Sequence, residues 1–293
     1  MRGFFLALII LVLLFLAFIV GLGLGLVISG EDGFPVGKRV AVLRVDDILL
    51  DSQTYLESLS TIRKDKSIKA LVLRINSPGG AVGPSQEIYR EVKLLRDKMP
   101  VIASIGTVGA SGGYYIACAA QRIIANPGSI TGSIGVLAQF MNYEQLIKWA
   151  KVDVKVIKSG EFKDAGSPFR GMTEAEREYI QKLIDNVHLQ FKKAVSEARG
   201  IEPKEVDKIA DGRIFTGEQA RDLKLVDDLG TLGDAIRLAG TLSGIGEEPN
   251  VVYYPKGKGR LLDLITSKIE THGLSGLPLR ERFGLFYLVD LIR

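Results

Sequence analysis

Two glycine-rich segments carry the residue types from which a hydrolytic site can be built: NSPGG (76–80) and GTVGASGGYY (106–115). Each follows a short apolar run rich in β-branched residues, ending at Ile75 and Ile105 respectively. Open α/β folds place their chemistry at such strand ends. Glycines alone would merely permit tight turns. A phosphate-binding loop is disfavoured, because GxxxxGK[ST] does not occur and neither segment holds a basic residue. Ser111 sits where the second segment passes into an expected helix over 111–121. A helix start offers unpaired backbone N–H groups and the positive end of the macrodipole. Each such donor is worth ~2.7–4 kcal/mol to an oxyanion in acyl transfer, and Gly112 and Gly113 leave room for a substrate backbone. The ordinary alternative is an N-cap serine, the commonest role for serine at that position.

A serine nucleophile needs a base, and the chain has two histidines. His188 falls beside the apolar stripe of a long helical segment, and His272 falls in an irregular C-terminal stretch (ETHGLSG). Neither is near a glycine-rich turn, which points away from a Ser-His-Asp triad. A lysine can substitute if burial brings its ordinary pKa of ~10.4 down by several units. It then takes the hydroxyl proton and returns it to the leaving amine. Lys163, in KSGEFKDAGSP, follows an expected strand through a glycine-containing loop. Residue type alone leaves Lys163, Lys158 and an exposed loop lysine all open. The single cysteine, Cys118, lies in the apolar YYIACAA and reads as a buried structural thiol. No disulfide framework can form.

The elements that must position these residues alternate. Val40–Val45, Lys69–Ile75, Val101–Ile105 and Val152–Ile157 have strand character, the first three as runs buried on both faces. Between them, Tyr55, Leu56, Leu59 and Ile62 share one helical face, as do Ile88, Val92 and Leu95. Alternation at this spacing implies βαβ units and a parallel sheet. Thr173 to Arg199 reads as one long helix opened by a capping box, Thr173 with Glu176. Its stripe of Ile180, Leu183, Ile184, Val187, Phe191, Ala194 and Val195 must pack on the body or on a neighbouring subunit. The class is α/β, in one domain over 39–243 followed by a C-terminal tail, 244–293. That tail includes a short amphipathic stretch around Leu261–Ile269 and an apolar end.

Hydrophobic residues make up 46% of the 293-residue chain, and the excess is concentrated before position 31. From Gly3 to Gly30 no residue is charged, a run long enough as a helix to cross a hydrocarbon core ~30 Å thick. It is too long for a cleaved signal peptide and lacks a small-x-small cleavage site. The expectation is a single-pass anchor over 1–30 and a linker over 31–38. Arg2 before it, with Glu31 and Asp32 after it, puts the N-terminus in the cytoplasm and the body outside the cell membrane. The net charge of +4 comes from interspersed signs. Only KGKGR (256–260) is locally basic, so nucleic-acid binding has little support.

Several blocks in register resemble the signal peptide peptidase A family in its short, single-repeat form: RINSPGG (74–80), GASGGYYIA (109–117), TGSIGV (131–136), KSGEFKDAG (158–166) and DGRIFTGEQARDLKLVDDLG (211–230). The resemblance runs through most of residues 39–240. It implies a Clp protease/crotonase-like ββα superhelix, a serine–lysine dyad and no cofactor or metal. On this sequence it implies Ser111 as nucleophile, Lys163 as base and Ser133 as the residue orienting that lysine. Gly79 or Gly80, together with Gly112, would supply the oxyanion donors. It further implies apolar peptide substrates, notably signal peptides left in the membrane after export, and a homo-oligomeric ring. Variants of the reading are a related protease cutting membrane-protein tails and, remotely, a crotonase-type acyl-CoA enzyme. One departure is visible: many relatives carry a glycine after the first strand, where this chain has Asp46 and Asp47.

Overall fold

Aliphatic runs flanked by glycine set the frame of the body. The structure, a computed structural model, describes residues 9–21 and 37–255, and the backbone of 286–288. It divides into two units, 1–37 and 38–293. In the first, residues 9–21 form helix α1, with side chains exposed throughout. Among the described residues no helix is long and apolar enough to cross a membrane. The remainder of the expected anchor, and the linker up to residue 36, lie outside them.

In the second unit the three expected strands are present and longer than expected: β1 (Arg39–Leu49), β2 (Ile68–Ala81) and β3 (Val101–Ala110). They pair in parallel, β1 with β2 and β2 with β3. The helices between them are α2 (Gln53–Lys64) and α3 (Val82–Arg96). NSPGG and the first part of GTVGASGG are therefore strand ends rather than turns. Their small residues let the ladder slip, with register shifts between Asp46 and Ile48 and between Ile75 and Ser77. After β3, α4 (Gly112–Ala117) is shorter than the expected 111–121. Residues 118–121 turn back into β4 (Arg122–Ala125), followed by β5 (Ile130–Gly132). The N-terminal half of β3 pairs with β4, the C-terminal half with β5.

An arm of mostly irregular backbone follows, with α5 (Glu144–Trp149) and a 3-10 turn, Glu161–Asp164. The strand expected at Val152–Ile157 does not form. Its valines alternate with charged residues as an edge strand's would, but among the described residues no strand pairs with it, and Val152, Val154, Val156 and Ile157 are exposed. α6 (Glu174–Arg199) has the expected capping box: Thr173 Oγ1 accepts from Glu176 N, and the Glu176 carboxylate accepts from Thr173 N. Then come α7 (Pro203–Ile209), β6 (Ile214–Thr216), α8 (Gly217–Asp222), β7 (Asp228–Leu229) and α9 (Leu232–Leu242). The tail contributes β8 (Asn250–Tyr254), parallel to β1, and β9 (Phe286–Leu288). The Leu261–Ile269 stretch and His272 lie outside the described residues.

Strand alternation divides the core in two. Ala41, Leu43, Val45, Leu71, Leu73 and Ile75 face α2, α3 and α4, while Val40, Val42, Val72 and Ile102 face α9. The C-terminal half of α6 belongs to the first layer, with Phe191 packed edge-on against Tyr115 of α4 at a 5.1 Å centroid distance. Cys118 is buried there, and desolvation pushes its thiol up to about 12, so it is inert.

Candidate active site

Ser111 is the last residue before α4, and its backbone is what the site is built on. It adopts φ 52°, ψ −119°, a region seldom populated by a residue with a Cβ. Two neighbours hold it there. Its N–H donates to the Gly132 carbonyl at 2.8 Å, and its own carbonyl accepts from Tyr115 N at 2.8 Å. Tyr114, fully buried, anchors α4 by donating its hydroxyl to the Leu225 carbonyl at 2.7 Å. The capping alternative fails on geometry: the Ser111 side chain makes no cap bond. The residue is 1% exposed, and its Oγ has no hydrogen-bond partner among the described residues. A buried hydroxyl without a partner costs roughly 1–3 kcal/mol. Strain and an orphaned polar atom in one residue are features that stability alone would remove, and they mark functional positions.

The glycines close in on this serine. A Cβ on Gly112 would stand 2.6 Å from Ser85 Oγ and 3.2 Å from the Gly80 amide nitrogen, and one on Gly113 would stand 2.7 Å from the Ser77 carbonyl. The end of β2 thus lies against the start of α4 with no room for side chains between them. Gly79, at φ 104°, has its N–H committed to Ser77 Oγ at 3.1 Å. Ser77 is the residue that sequence reasoning passed over. Its hydroxyl also donates to the Asp47 carbonyl at 2.5 Å, tying the β1 bend to the PGG segment. Asp47 itself takes φ 60°. This accounts for the departure noted in the sequence: the position calls for a left-handed residue, and aspartate tolerates that conformation better than most.

Ser133 is brought to the same place. Ala110 pairs with Gly132 across β3 and β5, so Ser133 follows the last rung directly. It is 5% exposed, has φ 50°, and is held by its N–H donating to the Arg213 carbonyl at 2.8 Å.

Lys163 is not brought there within this single chain. It lies on the exposed 3-10 turn Glu161–Asp164, with no hydrogen bond joining it to Ser111. Lys158, the alternative, is engaged: its ammonium donates to Asp164 Oδ1 at 2.5 Å and to the Glu161 carbonyl at 2.7 Å. His188 Nε2, on α6, is buried and has no hydrogen-bond partner among the described residues.

The edge of β2 beyond Ser77 is left open where β3 turns off into Ala110 and Ser111. The chain's own β9 fills it, antiparallel, pairing Gly79 with Leu288, Gly80 with Tyr287 and Ala81 with Phe286. This is an extended segment added to a strand edge beside a strained, unpartnered serine, the mode by which many proteins seize peptides.

Residues 93–246 match the model of peptidase family S49, and residues 46–129 match that of Clp protease. The chain belongs to peptidase family S49. It is a serine-type peptidase of the kind represented by signal peptide peptidase A. A protein of Synechocystis sp. named as a protease is 42% identical over 80% of this chain and 86% of its own. One from Methanocaldococcus jannaschii, also named as a protease, is 38% identical over 77% of this chain and 69% of its own. A protein of Enterococcus faecium named as a signal peptide peptidase SppA is 33% identical over 68% and 62% respectively. The Clp match runs from the end of β1 through β4, and so includes the β2 edge and the serine.

Proposed function

We propose that this S49 peptidase is a membrane-anchored endopeptidase that degrades apolar peptides, notably signal peptides remaining after export, with Ser111 as nucleophile and Lys163 as general base. The observation that carries the reading is the Ser111 hydroxyl, buried, strained and without a partner beside an edge that already holds an extended segment. The substrate strand takes the place of β9. Ser111 Oγ attacks the scissile carbonyl carbon, and its proton passes to the neutral amine of Lys163. The carbonyl oxygen becomes an oxyanion held by the N–H groups of Gly80 and Gly112. The lysine then gives its proton to the leaving amine, and water, deprotonated by the same lysine, hydrolyses the acyl-enzyme. Ser133 orients the amine. The strand and helix order supports a Clp/crotonase-type ββα superhelix around this site.

Assembly completes the site in this reading. The arm that carries Lys163 exposes Phe140, Met141, Leu146, Trp149, Val154 and Ile157, Trp149 at 82%. So much apolar surface on one segment favours cover by a second copy. A homo-oligomeric ring that packs these arms buries the lysine next to a serine. The apolar run before residue 31 anchors the ring, with its N-terminus cytoplasmic and the peptidase body outside.

The test compares Ser111→Ala and Lys163→Ala with the wild type on an apolar fluorogenic peptide in detergent. Both variants lose nearly all turnover while remaining folded and assembled. Turnover retained by either one removes that residue from the mechanism.

A further inference from the structure

We infer that Arg170 is a positioning residue for Lys163, fastening its turn to the start of α6 and keeping the Asp164 carboxylate off the lysine amine. The inference rests on the Ser111–Lys163 reading above. The arm that bears the lysine has little regular backbone pairing. The backbone bonds at the ends of its 3-10 turn, Lys163 N–H to the Gly160 carbonyl at 3.2 Å, Ala165 N–H to the Phe162 carbonyl at 3.1 Å and Ser167 N–H to the Asp164 carbonyl at 3.0 Å, all stay within the arm. Side chains must therefore place it.

Arg170 does so from both ends of its guanidinium. Nε donates to Asp164 Oδ2 at 3.0 Å, and Nη2 donates to the Asp164 carbonyl at 3.3 Å. Nη1 donates to Glu176 Oε2 at 2.9 Å, and Nη2 also reaches Glu176 Oε1. Glu176 is 2% exposed. A capping glutamate needs only to reach one backbone N–H, and most do so at the surface. Burial of this one is compensated by the guanidinium fork and by the Thr173 N–H it accepts at 2.9 Å. The capping box legible in the sequence is thus also the anchor of the lysine turn. Phe162, on that turn, stacks on Tyr179 of α6 with centroids 5.2 Å apart.

The second consequence is electrostatic. Asp164 is the immediate chain neighbour of Lys163, and a free carboxylate there would pair with the ammonium and hold it charged, which a general base cannot afford. Both Asp164 oxygens are occupied instead, Oδ1 by Lys158 and Oδ2 by Arg170. Hydrogen bonds from Arg170 and then from Lys158 hold this carboxyl well below the usual carboxylate range, so it stays an anion locked to them. The charged and titratable groups around the turn are Lys158, Glu161, Asp164 and Arg170 from the arm, with Glu176 and Tyr179 from α6. Removing one arm of the staple while keeping the other therefore acts on the lysine with a predictable sign.

The experiment is the pH profile of kcat/KM for the full-length enzyme in detergent on an apolar fluorogenic peptide, for the wild type, Arg170→Gln, Arg170→Lys and Asp164→Asn. Lys163→Ala serves as the control. Arg170→Gln frees Asp164 toward the amine, so the rise of activity with pH moves to higher pH, by about one pH unit for a unit charge lost a few ångströms away. At neutral pH this appears as an approximately tenfold fall in kcat, with KM little changed. Asp164→Asn leaves Lys158 and Arg170 uncompensated, which moves the rise to lower pH. Arg170→Lys, keeping the charge but not the fork, falls between wild type and Arg170→Gln. Displacement of the two limbs in opposite directions supports the inference, since a merely structural role would lower activity without it. Profiles that superimpose on the wild type overturn it, as do losses in both variants with no displacement. If Arg170→Gln does not assemble, Asp164→Asn, which keeps Arg170 on Glu176, decides. An inactive Lys163→Ala beside a normal Arg170→Gln overturns this inference alone. An active Lys163→Ala overturns the dyad.

Discussion

Ser111 and Ser133 stand next to each other on neighbouring strand ends: Ala110 pairs with Gly132 on the last β3–β5 rung, and the Ser111 N–H donates to the Gly132 carbonyl at 2.8 Å. Both serines have positive φ, 52° and 50°. Two adjacent non-glycine residues in that region represent strain of about 1–3 kcal/mol each, sustained by the ladder around them. The pairing sets the two residues side by side at the backbone level.

The strain at Ser111 predicts a trade between stability and activity. Ser111→Gly relieves the left-handed conformation and removes the unpartnered hydroxyl, offset by ~0.5–1 kcal/mol of glycine backbone entropy. Its Tm is expected to rise by roughly 2–4 °C, the shift a net gain of about 1 kcal/mol produces in a body of this size, with activity abolished. Calorimetry of the two proteins checks this, and a lower Tm would show that the serine is not strained as argued.

At Ser133 the hydroxyl rather than the backbone is in question. Ser133→Ala is expected to lose about tenfold or more in kcat, one hydrogen bond's worth, with KM and assembly preserved. Full activity in that variant would remove Ser133 from the set of residues acting on the lysine.

Gly80 and Gly112 test the close approach of β2 to α4. A Cβ at Gly80 runs into the Leu49 backbone, which cannot give way, whereas one at Gly112 meets the Ser85 hydroxyl at 2.6 Å and the Gly80 nitrogen at 3.2 Å. Gly80→Ala is expected to lower stability by about 1–3 kcal/mol, as overpacking does. Gly112→Ala is expected to remain folded and lose turnover, because the methyl group enters the space proposed for the oxyanion. Chemical denaturation with parallel assays separates the two outcomes.

Because β9 occupies the edge of β2, a chain ending after Pro255 should bind short apolar peptides more tightly. A lower KM at similar kcat is expected in steady-state assays. An unchanged KM would place substrate elsewhere than the Gly79–Ala81 edge.

Acid stability should depend on Glu176. Hydrogen bonds from Arg170 first, and from the Thr173 backbone, depress its carboxyl to about 2. A folded-state value below the unfolded one, near ~4.3, contributes stability that is present above that unfolded value. The contribution is lost as pH falls from there toward 2. Glu176→Gln should be less stable than wild type at neutral pH, and the gap should narrow through this window. Thermal unfolding from pH 7 to pH 3 measures it, and a constant gap would contradict the ion-pair account.

Local chemistry made much of this protein legible from its sequence. β-Branched runs gave β1, β2 and β3, the apolar spacing gave α2 and α3, and the Thr173–Glu176 box gave the start of α6, because each depends on neighbours a few residues away. The glycine-rich blocks marked where the chain's serines could do chemistry. What the tertiary structure alone decided depends on partners distant in sequence. The glycine segments became strand ends because β1 and β5 were there to pair with them. The alternating valines of 152–157 formed no strand because nothing among the described residues pairs with them. The capping role left open for Ser111 was settled by the Gly132 carbonyl and by φ 52°, which turn its hydroxyl away from the helix and leave it buried without a partner. Residue type proposes a nucleophile, but only the contacts of a folded backbone can withhold from it every other hydrogen bond.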